Sequence, residues 1–260
     1  MNAGHNPDMP ELDISEPGLP GVDGSGALLF LENLRYRWAG SSKDVLDIGR
    51  FSVSRGERVF LQGVSGSGKT TLLNLLGGVI TPDSGVVSIL DTDLTKLGHA
   101  ARDTFRADHI GFVFQQFNLI PYLSLIDNVT LPCRFSKTRR NRITAKGTTP
   151  ADEATRLLSQ LGLNEEARSS RSVTALSVGQ QQRVAVARAM IGSPELIIAD
   201  EPTSALDVQA RFAFLDLLFH EVEASNATLL FVSHDPALQK RFERSVRMVD
   251  INRAGITEEA

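Results

Sequence analysis

The segment Gly63-Val64-Ser65-Gly66-Ser67-Gly68-Lys69-Thr70 matches the pattern GxxxxGK[ST] at every fixed position. Its glycines let the backbone fold around phosphate so that successive amide N–H groups point at the anion, and a helix beginning there adds its partial positive charge. Lys69 then bridges the terminal phosphates and the Thr70 hydroxyl ligates Mg2+. Gly63, Ser65, Gly66, Ser67, Gly68 and Thr71 complete the expected nucleotide-binding set. A phosphate cradle alone does not name a reaction. The run Leu196-Ile197-Ile198-Ala199-Asp200-Glu201 supplies what is missing, because it sets two carboxylates just past an apolar segment. At the end of a buried parallel strand such a pair faces the ligand crevice; Asp200 suits magnesium held through its water shell, and Glu201 suits orienting or deprotonating an attacking water.

These groups need elements to place them. Val59-Phe60-Leu61 ends in the glycine-rich turn, and Thr70 to Leu76 begins a helical pattern, giving strand, loop, helix. Leu196–Ala199 and Thr228–Val232 are apolar on both faces, which suits central strands of a parallel sheet covered by helices. Residues 116–192 are mostly helical in pattern, with Ala151–Leu161 an amphipathic helix, so this stretch is expected to be an inserted helical subdomain. Ser136–Pro150 shows no apolar period and reads as a polar loop. Its basic cluster, Lys137, Arg139, Arg140, Arg142 and Lys146, is expected to be solvated or to meet anionic lipid headgroups, at ~1 kcal/mol per charge.

The 260 residues are 42% hydrophobic and 22% charged, an ordinary globular composition that excludes fibrous and wholly disordered classes. The net charge of -4 gives no overall positive field, so no nucleic acid is expected as a partner. The surplus of acid is local. Residues 1–26 hold Asp8, Glu11, Asp13, Glu16 and Asp23 with no Lys or Arg, leaving 26 acids against 27 bases elsewhere. With four prolines and five glycines this stretch is expected to be a disordered leader, and it lacks the apolar core of a signal peptide. No run approaches the ~18 apolar residues of a membrane span, which places the chain in the cytosol unless a partner holds it at a membrane. The single cysteine, Cys133, excludes an intrachain disulfide and reads as a small buried side chain.

Leu176-Ser177-Val178-Gly179-Gln180, continued by Gln181-Gln182-Arg183-Val184-Ala185-Val186-Ala187-Arg188-Ala189, resembles the signature segment of ABC-type ATPases. Gln115 in Gly111-Phe112-Val113-Phe114-Gln115 looks like the Q-loop, Ser204-Ala205-Leu206-Asp207 like the D-loop, and His234 like the switch histidine; all stand in the family's order over residues 28 to about 250. The resemblance implies an α/β fold with a P-loop NTPase (RecA-like) core of mostly parallel sheet, an antiparallel β subdomain and the helical insertion. It implies domain limits of 27–250, with 251–260 a tail. It also implies ATP and Mg2+ as cofactors, catalytic roles for Glu201, His234 and Gln115, metal roles for Thr70, Gln115 and Asp200, and nucleotide contacts from Ser177, Gly179, Gln180 and Asp207. Ser177 and Gly179 at a helix start form a second anion site, which in this family meets the P-loop of another copy. A two-fold homodimer would thereby enclose two ATP. Val178 stands where the family usually has Gly and should be tolerated if its φ is negative. For the adenine base the spacing to Lys69 favours Trp38 over Tyr36 as a stacking partner, although alternation puts Leu34, Tyr36 and Trp38 on one strand face and core packing competes.

Residues 115–132 are similar to ATPases of the lipoprotein-releasing and macrolide-efflux group, which includes a cell-division member. That likeness implies a separate integral permease of the inner membrane docking through residues 116–132, on an apolar surface containing Phe117, Leu119, Ile120 and Tyr122. Two functions follow: energy coupling for export or extraction of a lipoprotein, lipid or drug-like substrate, or an ATP-driven regulatory switch on a membrane partner without transport.

Overall fold

The computed structural model describes residues 26–168 and 172–254. The acidic leader expected for residues 1–26 lies, but for Gly26, outside the described residues. In chain order the elements are β1 (Ala27–Tyr36), β2 (Leu46–Ser54), β3 (Arg58–Gln62), α1 (Lys69–Leu76), β4 (Ser84–Ile89), β5 (Thr92–Asp93), α2 (His99–His109) and β6 (Ile110–Val113). There follow α3 (Leu125–Thr130), α4 (Pro132–Phe135), α5 (Lys137–Thr144), α6 (Pro150–Gln160), α7 (Asn164–Arg168) and α8 (Val178–Met190). The last are β7 (Leu196–Asp200), α9 (Val208–Ala224), β8 (Thr228–Ser233), β9 (Arg244–Arg247) and α10 (Met248–Ile251).

Two sheets result. One has the order β6-β7-β8-β3-β9 with every pairing parallel; the other, β2-β1-β4-β5, is antiparallel. The continuous apolar runs are central strands: all six residues of β8 are buried, as are the first four of β7. Alternation along these strands splits the core in two. Ile197, Ala199, Leu229, Phe231 and Phe60 face the helical side with α8 and α9, whereas Leu196, Ile198, Leu230, Val232 and Leu61 face α1 and the antiparallel sheet. The helices between β6 and β7 share the first of these cores, so the insertion is packed on the sheet through α8.

Three expectations change. Ser136–Pro150 is not a loop throughout: Lys137–Thr144 form α5, Ser136 caps it by accepting from the Arg139 amide, and the helix buries Arg139 and Ile143, one turn apart. The apolar period was absent because an arginine occupies an inward position. Its guanidinium donates to Ala189 O at 3.1 Å, Ile191 O at 3.0 Å and Ile110 O at 2.7 Å. Arg140 is likewise engaged on Cys133 O and Arg142 on Ser193 O and Glu195, so three members of the basic cluster are structural and not a lipid-facing patch. The chain does not become a tail at 251: Ile251 and Asn252 are buried, and the Arg253 amide donates to Asp47 O. Finally, Phe117 is buried and Leu119 packs against the core, leaving Tyr122, 83% exposed, as the outward side chain of the supposed apolar surface. Cys133 is buried as expected, and burial raises its thiol pKa.

Candidate active site

The parallel strands β6, β7, β8 and β3 all deliver loops at their C-terminal ends, where a crevice forms in open parallel sheets. After β3 the chain enters residues 63–68. Gly68 precedes α1 with φ 92°, and a Cβ on Gly63 would lie 2.6 Å from Ser67 Oγ, so glycine is required at both positions. Ser67 closes the loop by donating through Oγ to Val64 O at 2.8 Å. No side chain caps α1 and no acid lies in its first turn, which leaves its amide N–H groups for an external anion. Lys69 Nζ donates to Gly63 O at 2.6 Å and Val64 O at 3.0 Å, and stands 3.9 Å from Glu201 Oε1.

Asp200 ends β7. Glu201 turns the chain away with φ 47°, its amide fixed to Val232 O of β8 at 2.9 Å. A left-handed glutamate persists only where its surroundings impose it, and here the neighbouring strand does so. His234, just past β8, places Nδ1 2.5 Å from Glu201 Oε2. Its ring is 65% exposed while the Glu201 side chain is 14% exposed, so the histidine joins a sheltered carboxylate to the surface. Burial, with Glu201 adjacent, pushes the Asp200 carboxyl above its ordinary value against the pull of Lys69.

One cavity of about 940 Å3 collects Trp38, Ser65, Gly66, Gly68, Lys69, Thr70, Thr71, Gln115, Asp200, Glu201 and His234. Gln115 enters it from the exposed turn after β6, and Thr71 is buried in its floor. Trp38 lies beyond the end of β1, is 46% exposed and meets Tyr36 edge-on at 5.1 Å. Tyr36 is buried, so the two aromatics that alternation set on one face divide into core and cavity wall. A hydroxyl, a carboxylate and a carboxamide, Thr70, Asp200 and Gln115, suit a hard cation that also takes phosphate oxygens. Among the described residues no group of three His, Cys, Asp or Glu could hold a metal ion.

The remaining expected contacts lie elsewhere. Ser177 caps α8, and Gln180 completes a capping box by returning its side chain to the Ser177 amide. Gln180 Nε2 also donates to Glu166 at 2.5 Å, so its carboxamide is already engaged. Helix geometry leaves the amides of Val178 and Gly179 for an external acceptor. Val178 is the first residue of α8 and has no positive φ, the condition for its tolerance. Asp207 caps α9 by accepting from the Ala210 amide at 2.8 Å. None of Ser177, Gly179, Gln180 and Asp207 lines the cavity that holds Lys69.

Two positions escaped the sequence. Val45, at the edge of β2, lines the cavity beside Trp38. Asn252, at the far end of the chain, donates to Val45 O at 3.0 Å and Ser67 O at 3.2 Å and accepts from the Asp47 amide at 2.9 Å. It pins the phosphate loop to the cavity wall, and no local pattern around it signals this.

The family model described as ABC transporter matches residues 46–204 of this chain. The chain belongs to that family, as its ATP-binding part, and is an ATPase working on ATP with Mg2+. Within the family it is 43% identical over 200 residues to YbbA of Escherichia coli K12, an uncharacterized ABC transporter ATP-binding protein, covering 76% of this chain and 83% of YbbA. The dimeric ATP-binding cassette MJ0796 in a post-hydrolysis state bound to ADP and Pi superposes with a TM-score of 0.73 at 34% identity, over 84% of this chain and 93% of the cassette. A second dimeric structure of MJ0796, described as a bacterial ABC transporter cassette, gives 0.72 with the same coverage.

Proposed function

We propose that the chain is the ATP-hydrolysing subunit of an inner-membrane ABC transporter, dimerising around two ATP and driving a separate permease. The observation that carries this reading is a division within one chain: Lys69, Gln115, Asp200, Glu201 and His234 line one cavity, while Ser177 and Gly179 open α8 outside it. A complete site therefore takes its phosphate loop from one protomer and its signature helix start from a two-fold partner. The dimeric cassettes to which the chain is similar support the same arrangement.

In this site the amides of residues 65–70 and the Lys69 ammonium bind the phosphates, and Trp38 stacks on the adenine. Thr70 and Asp200, with Gln115 beside them, would hold a magnesium ion, which would supply charge neutralisation at the terminal phosphates. Glu201 accepts the proton of the water that attacks the γ-phosphorus as the bond to the β–γ bridging oxygen breaks and ADP leaves. His234, hydrogen-bonded to Glu201, fixes the carboxylate and reaches toward the γ-phosphate from the exposed side. Asp207, capping α9 in the segment after Glu201, sets the edge that meets the partner. Loss of the γ-phosphate removes what the partner's α8 start holds, so the dimer opens and movement passes to the permease.

The permease seat we assign is a groove of about 610 Å3 between β6 and α4, lined by Phe112, Phe114, Leu131, Pro132 and the 75% exposed Phe135. Phe114 and Asn118 carry its wall directly into the Gln115 turn. An amphipathic cytosolic helix of the permease fits this apolar trough. The pattern of residues 115–132 favours the lipoprotein-releasing and macrolide-efflux group, with substrates of lipoprotein, lipid or drug-like type. Among the described residues no helix is long and apolar enough to cross a membrane. The test is capture of tagged protein from detergent-solubilised membranes, with ATPase rate measured before and after adding the captured partner. A stimulating integral membrane protein supports the reading; only soluble or ribosomal partners contradict it.

A further inference from the structure

We infer that Arg188 is the positioning residue of the Gln115 turn, joining the signature helix to the hydrolytic site within one protomer. This rests on the reading above that Gln115 serves that site. Beyond Gln115 and Gln116 the chain takes two consecutive left-handed residues, Phe117 at φ 58° and Asn118 at φ 49°. Non-glycine residues hold that conformation only where their surroundings over-determine it. The Phe117 amide donates to Phe114 O at 3.0 Å and the Asn118 amide to Gln116 O at 2.6 Å, which closes the turn around Gln115. Both left-handed carbonyls then accept from one guanidinium: Arg188 Nη1 donates to Asn118 O at 2.6 Å, and Nη2 donates to Phe117 O.

Arg188 is 8% exposed, and no carboxylate among the described residues pairs with it. Burying a cation on carbonyls alone is costly, and burial holds its pKa below the ordinary arginine value. An apolar side chain would fill the space at less cost but could not grip two carbonyls, and a lysine reaches with a point charge instead of a fork. The position is also shared. Arg188 sits near the C-terminal end of α8, the helix that Ser177 opens, and it lines the groove beside Phe114 and Asn118. One side chain thus touches the helix that meets the second protomer, the groove assigned to the permease and the turn that presents Gln115.

The test is a mutant cycle on the full chain: Gln115→Ala, Arg188→Met, Arg188→Lys and the double Gln115→Ala/Arg188→Met, each with kcat, KM for ATP and Tm. Amide hydrogen exchange over residues 114–119 is followed in nucleotide-free protein. Arg188→Met should lower kcat roughly 10- to 100-fold, as loss of a side chain that orients a metal-ligating group does, with KM changed by less than about twofold. Arg188→Lys should recover part of the rate. The double variant should be no slower than Gln115→Ala by more than about twofold. Exchange over 114–119 should speed up in Arg188→Met and not in Gln115→Ala. Multiplying effects in the double variant, or a wild-type kcat with only a lowered Tm in Arg188→Met, overturn the inference alone. A wild-type rate in Gln115→Ala overturns the placement of Gln115 and the inference with it. Should Arg188→Met not fold, Arg188→Lys enters the same cycle and the same two outcomes decide.

Discussion

At the scale of single residues Glu201 is decisive: its carboxylate is hydrogen-bonded to His234, and its left-handed backbone is fixed by the amide donating to Val232 O. Glu201→Gln should keep ATP binding and lower turnover by roughly 10^2- to 10^4-fold, the usual reach of a general base; an unchanged single-turnover rate would remove Glu201 from that role. Trp38→Ala should weaken ATP binding by ~1–3 kcal/mol and leave inorganic tripolyphosphate binding unaltered, because only the base loses its stacking face. If calorimetry finds both weakened equally, Trp38 supports the loop and not the base. Asp200 yields a stability prediction. Its carboxyl pKa is raised in the folded protein by burial and by Glu201, so the folded state holds the proton more tightly than the unfolded chain. Stability then falls as pH rises from the unfolded value, ~3.9, through the folded one, and the cost is fully present above both. Asp200→Asn should raise the Tm of nucleotide-free protein at neutral pH, with the gain vanishing on acidification toward pH ~4. A gain that persists there would point to packing. The residues named here were legible in the sequence because their chemistry depends on near neighbours: a glycine turn next to its lysine, two acids at a strand end. Asn252 was not. It reaches back to Ser67 and Asp47 across some two hundred positions, and nothing in its own neighbourhood marks it.

At the scale of elements, α5 shows where periodicity misleads. Its inward face is Arg139 and Ile143, and the arginine replaces apolar contact with hydrogen bonds to three carbonyls from β6 and the end of α8. Arg139→Met should therefore cost about 3 kcal/mol or more, since it strands buried acceptors, and lower Tm by roughly 6–12 °C; thermal unfolding measures this, and a loss under about 1 kcal/mol would mean those carbonyls find other donors. The central strands were readable for the opposite reason. Leu196–Ala199 and Thr228–Val232 are apolar on both faces because both faces are covered, one by α8 and α9, the other by α1 and the antiparallel sheet. The docking surface was only half readable. Apolar residues at 117–122 marked the segment, but Phe117 and Leu119 satisfy the core, and the exposed rings that line the groove are Phe114 and Phe135, the second of them twenty residues past Gln115. Sequence reports that a residue is apolar; which side of its element is covered is decided by packing.

For the whole molecule, the division of the nucleotide contacts gives the strongest constraint. The cavity holding Lys69 and Glu201 lacks Ser177 and Gly179, which were expected to meet the phosphate loop of another copy, and the capped start of α8 keeps amides for an external acceptor. In the proposed function, a second copy related by two-fold symmetry would supply the missing side for both sites at once, which would link ATP binding to association and make the ligand the switch. The most direct measurement is the solution mass of the Glu201→Gln protein, by sedimentation or light scattering, with and without MgATP, alongside a Glu201→Gln/Ser177→Arg companion that keeps the phosphate loop intact. One chain mass is expected without nucleotide, two with MgATP, and one again in the companion while it still binds ATP. Saturating ATP binding by Glu201→Gln at an unchanged monomer mass would contradict ATP-linked pairing.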